Sequence, residues 1–73
     1  MTMFTKELQR GDHVKGFFIQ NEGTDGWRVR EEQDGAVLTE KHLQDWHRVE
    51  RAVAVFNLRI GELTGRGWRP RGE

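Results

Sequence analysis

His42, Asp45, His47 and Glu50 fall within nine consecutive residues and are the densest group of side chains in the 73-residue chain able to hold a metal or move a proton. Helical geometry separates them. His42 and His47 are five apart, about 140° around a helix, whereas two ligands on one face need a separation of three or four. His42 with Asp45, and His47 with Glu50, each make at most a pair, and no third ligand follows at a suitable spacing. No metal site and no cofactor are expected. Nucleophilic chemistry has less to work with: cysteine, serine and tyrosine are absent, and neither a glycine-rich phosphate loop nor a nucleophile elbow occurs. So short a chain needs its apolar residues for a core rather than for a substrate pocket. The expectation is a protein that is not an enzyme and has no small-molecule substrate.

The remaining chemistry is cationic. Arg28 and Arg30 share one face of a strand, Lys15 lies in the strand before it, and the tail GRGWRPRGE interleaves Trp68 with Arg66, Arg69 and Arg71 as flexible nucleic-acid binders do. Twelve basic residues are nevertheless cancelled by twelve acidic ones, which removes the long-range attraction of a strongly basic domain for nucleic acid. Around Arg28 and Arg30 stand Glu22, Asp25, Glu31, Glu32 and Asp34. The two arginines therefore read first as partners of neighbouring acids. Nucleic-acid contact through Lys15, Arg28, Arg30, Arg66, Trp68, Arg69 and Arg71 is the second reading.

The elements that must position these groups follow from periodicity. Val14 to Ile19 is aromatic and β-branched and predicts a strand over about 13–20, ended by the turn-forming NEGTDG. Trp27 opens a second strand over about 27–33, Asp34-Gly35 supplies a type I′ turn, and a short third strand returns over 36–38. This register puts Trp27, Val29, Glu31, Ala36 and Leu38 on the core side and Arg28, Arg30, Glu32, Val37 and Thr39 on the other. Thr39 then reads as a helix N-cap, with Leu38 and Leu43 as a hydrophobic staple and a helix over about 40–64 closed by Gly65. Lys41 with Asp45, Asp45 with Arg48, and Arg59 with Glu62 are opposite charges at helical spacing.

Along that helix Trp46, Val49, Val53, Phe56, Ile60 and Leu63 recur at alternating spacings of three and four. The run AVAVFNLRIG at 52–61 also alternates as a strand would, but over a shorter stretch. A helix of this length outruns a three-stranded sheet, so its far half is expected to pack on a second protein or a second copy of the chain. The predicted fold is α+β: a small three-stranded antiparallel sheet (β-β-β) on one long C-terminal helix, with residues 1–65 as a single compact domain and 66–73 as a flexible basic tail.

The strand-strand-strand-helix order with a Trp-Arg-x-Arg strand and an Asp-Gly turn resembles the sheet-reading DNA-binding domains of phage integrases and of a plant transcription-factor family. That resemblance implies a basic sheet face, where this chain has Glu31, Glu32 and Asp34. LQRGDHVKGFFI resembles the opening strand of an SH3-like barrel, an alternative architecture. The function expected is a non-catalytic binding module acting through protein–protein contact, as a homodimer or docked on a larger complex, by way of the helix stripe. By analogy, small cysteine-free chains of this kind are similar to phage and mobile-element accessory proteins, inhibitors among them. Without cysteine, or an apolar run long enough for a leader or a span, the chain reads as cytoplasmic with no membrane partner.

Overall fold

A computed structural model describes residues 2–71. Met1, in the expected domain, and Gly72 and Glu73, in the expected tail, lie outside the described residues. The elements are β1 (Thr2–Arg10), β2 (His13–Asn21), a 3-10 turn (Gly23–Asp25), β3 (Trp27–Gln33), β4 (Ala36–Leu43), α1 (Trp46–Gly65) and β5 (Arg69–Pro70). They form one antiparallel sheet in the order β4-β3-β2-β1-β5, covered on one face by α1. The α+β class is as expected, but the sheet has five strands where three were predicted. It stays open, with β4 and β5 at its edges, and is no SH3-like barrel.

Two tight turns set the register. Gly11 at φ 59° begins the loop between the paired Arg10 and His13, and Asp34 and Gly35, at φ 52° and 84°, make the I′ turn between Gln33 and Ala36. Asp34 does more than bend. Its carboxylate accepts a hydrogen bond from the Val14 amide at 2.8 Å and meets His13 Nδ1 at 2.9 Å, while its own amide donates to the Val14 carbonyl at 2.8 Å. The turn is thereby fastened to the start of β2.

Five expectations need correction. Phe4, Lys6 and Leu8 alternate with Met3, Thr5 and Glu7 in a strand, β1, that was not foreseen, and it supplies fully buried Leu8. The third strand runs on to Leu43, so Thr39 pairs with Glu31 inside β4 and caps nothing. A bulge at Leu38, between the pairs Glu32–Val37 and Glu31–Thr39, moves Thr39, Lys41 and Leu43 onto the helix-covered side. The helix begins at Trp46 instead, capped by Asp45, whose side chain accepts from the His47 amide at 2.9 Å. At its other end the left-handed residue that closes α1 is Gly67, at φ 100°, rather than Gly65, and the Trp68 and Gly67 amides donate to the Leu63 and Thr64 carbonyls. The tail does not hang free over 66–71. Leu8 pairs with Pro70 and Gln9 with Arg69, and the Arg71 amide donates to the Glu7 carbonyl at 2.9 Å.

The core is Leu8, Phe17, Ile19, Val29, Val49, Phe56 and Trp68. Phe56 sits 5.0 Å from Phe17 and 5.9 Å from Phe4, ring centre to ring centre, and anchors α1 across β1 and β2. Residues 52–61 are helical, and the apolar stripe is spent mainly inside the domain: Val49 and Phe56 are buried, and Val53, Ile60 and Leu63 pack partly against the same cluster. Val49 and Phe56 thus have no surface left for a partner. Only Trp46 stands well out, 47% exposed beside Trp27. Among the described residues no helix is long and apolar enough to cross a membrane.

Two outcomes are expected. Trp68→Ala should cost about 3–5 kcal/mol, read from urea unfolding, because it empties a buried site that also holds the tail; a loss below about 1 kcal/mol would mean the tail is not part of the core. Asp34 is held below its ordinary pKa of 3.8 by the His13 hydrogen bond and then by the Val14 amide. A depressed folded-state pKa gives stability that is present above the unfolded value and lost as pH falls through the folded one. Asp34→Asn, which keeps the turn and an acceptor for Val14, should therefore flatten the acid limb of the stability curve below the ordinary value of 3.8.

Candidate functional site

The two faces of the sheet divide the predicted site residues. Arg28 and Arg30 lie on the face away from α1, and both are engaged. Arg28 Nη2 is 3.0 Å from Glu22, Arg30 Nε is 2.7 Å from Glu32, and the Arg30 guanidinium lies over the Phe18 ring at 5.3 Å. Phe18 folds across Gly16, where any Cβ would collide with the ring at 2.5 Å. Arg71 reaches Glu7 at 3.2 Å on the same side, while Arg66 and Arg69 are exposed near the helix end and on β5. Lys15 is on the opposite face, its ammonium 5.6 Å from the centre of the Trp68 ring. The seven residues considered for nucleic acid therefore do not share one surface, and Trp68 is buried.

The histidines are also separated. His42 belongs to β4 and meets Glu22 at 3.0 Å, whereas His47 lies 3.9 Å from Glu50 on the helix. Among the described residues no group of three or more possible metal ligands comes together.

A different site is built between α1 and the inner face of β3 and β4. It is an open groove of about 460 Å³ with Val29, Leu43, Ala52, Val55 and Phe56 along its apolar surface. Lys41 and Thr39 enter from β4, and Arg48, Arg51 and Arg59 from the helix. The spacing from Arg48 to Arg51, Val55 and Arg59 is three, four and four, so these residues make a second helical stripe beside the apolar one. That spacing is a signal the sequence carries, hidden because Lys41 and Asp45 read as part of the same helix.

Glu31 is the acid in this lining, and its burial explains one arginine. Only 7% of the residue is exposed, and Arg59 Nη1 donates to its carboxylate. A carboxylate removed from water needs such a partner. Arg59, expected to pair with Glu62, instead spans from helix to sheet and fixes one wall of the groove. Comparison with protein-family models, curated proteins and solved structures finds no match.

Arg59→Ala should destabilise the protein by about 1–3 kcal/mol in urea unfolding, because Glu31 is left buried without a counter-charge. Glu31→Gln added to Arg59→Ala should recover part of that loss. Full additivity of the two changes would mean that the pair is not coupled.

Proposed function

We propose that this chain is a non-catalytic binding module that docks a partner protein along β4 and the groove beside it. The observation that carries this reading is the state of β4. It is eight residues long, all but Leu43 exposed, and among the described residues it pairs only with β3. A strand with one unpaired edge presents a row of amides and carbonyls that an extended segment of another protein can complete. Beside that edge the groove offers an apolar surface, including Val55 at 43% exposure.

A partner other than a second copy is favoured by the charges on β4. Two-fold antiparallel pairing of β4 with itself brings like positions face to face. Centred on Glu40 or Lys41, such pairing sets like charges opposite one another; displaced toward Ala36, it runs into the Leu38 bulge. Displaced toward Leu43, it leaves most of β4 unpaired, so the docking surface is proposed as heterologous, and the outer face of the sheet, with Arg28 and Arg30 tied to acids, has no part in it.

Selection of an unbiased extended-peptide library against the intact chain, followed by amide chemical-shift mapping of the enriched peptides, tests the proposal. Perturbations and slowed amide exchange concentrated on Ala36 to Leu43 are the expected result. Binders that map to the outer face at Arg28 and Arg30, or concentration-dependent dimerisation through β4, would overturn it.

A further inference from the structure

We infer that the groove beside β4 receives an extended, acidic polypeptide segment, an inference that rests on the docking reading above and gives its partner a chemistry. Residues 40–64 are balanced in charge, Lys41, Arg48, Arg51 and Arg59 against Glu40, Asp45, Glu50 and Glu62. The fold sorts them. All four cations line the groove and none of those four acids does. Glu31, the acid that does, is already bound by Arg59. Lys41, Arg48 and Arg51 are left facing solvent around an apolar surface, where positive charges reinforce one another and are screened less than on a flat exterior.

Two features select a polypeptide over a nucleic acid. The rim of the groove is a strand edge, whose donors and acceptors match the repeat of another strand and not that of a sugar–phosphate chain. The floor is largely aliphatic, and its ring, Phe56, is 5% exposed and packed against Phe4 and Phe17. No free face remains there for a base to stack on. A strand added to β4 sends alternate side chains toward α1. Carboxylates at some of those positions reach Lys41, Arg48 and Arg51, the arginines offering two-pronged hydrogen bonds, and small or branched apolar side chains rest on Leu43 and Val55.

Labelled eight-residue peptides, the length of β4, that carry valine and either glutamate or glutamine by turns along one face, with threonine along the other, test this, with oligothymidylate as a third probe. Each is titrated into the intact chain by fluorescence anisotropy at low salt and at about 0.5 M. The glutamate peptide should bind at least about tenfold more tightly than the glutamine peptide at low salt, lose that advantage at high salt, and shift the β4 amides. Arg48→Glu with Arg51→Glu should abolish the preference, Arg48→Gln with Arg51→Gln should weaken it in case the reversal disturbs the helix, and Arg28→Ala with Arg30→Ala should leave it unchanged. Equal binding of the glutamate and glutamine peptides at β4 would overturn the acidic inference and leave the docking reading standing. Absence of any peptide from β4 would overturn both. Tighter binding of oligothymidylate than of the glutamate peptide, sensitive to Arg48 and Arg51, would make the groove a nucleic-acid site and overturn the inference.

Discussion

One helix has to cover five strands, and it is too narrow to do so. Neighbouring strands lie about 4.8 Å apart, so five span about 19 Å between outer axes, while a helix with its side chains is about 10–12 Å across. Phe56, wedged against Phe4 and Phe17, decides where the helix lies. Once it is seated there, Leu8, Phe17, Ile19 and Trp68 are covered and the inner side of β4 is not. The groove is the uncovered remainder of the sheet, and its polar lining follows from the same shortfall.

The same geometry explains what was legible in the sequence. β2 and β3 lie near the middle of the sheet, and their inward residues Phe17, Ile19 and Val29 are apolar enough to announce a strand. The Asp34-Gly35 turn was readable because positive φ restricts the residue types that can stand there. The helix was readable from the spacing of Val49, Val53 and Phe56. β4 was readable only over 36–38, because its inward residues beyond the bulge are Thr39, Lys41 and Leu43, and two of these face a groove rather than a core. A strand whose inner face stays wet loses the alternation by which strands are recognised, and Thr39 was then free to resemble a helix cap.

The tail misled for a different reason. Arg66, Arg69 and Arg71 have the composition of a disordered end, yet Trp68 among them is the side chain that completes the core next to Leu8. Local composition cannot reveal a residue whose burial depends on a strand some sixty positions earlier. The candidate site suffered likewise: Arg48, Arg51 and Arg59 are ordinary helix-surface residues until β4 places Lys41 beside them and β3 gives Arg59 a buried acid to hold. Their role belongs to the tertiary arrangement and not to any one segment.

The pairing of β5 with β1 carries a hazard of its own. β5 is two residues long, and it shields part of one side of a nine-residue strand. Its contacts join distant parts of the chain, whereas each of the other strand pairs closes through a short connection, so β5 can lift away while the rest of the sheet remains intact. Such an opening uncovers the edge of β1 and releases Trp68 together, leaving a strand edge with no bulge near its centre, on which Met3, Phe4 and Leu8 stand among the charges of Lys6, Glu7 and Arg10. The β1 edge is thus reached by a local opening of the tail rather than by global unfolding, and conditions that leave the melting temperature untouched can still change how often that edge is presented.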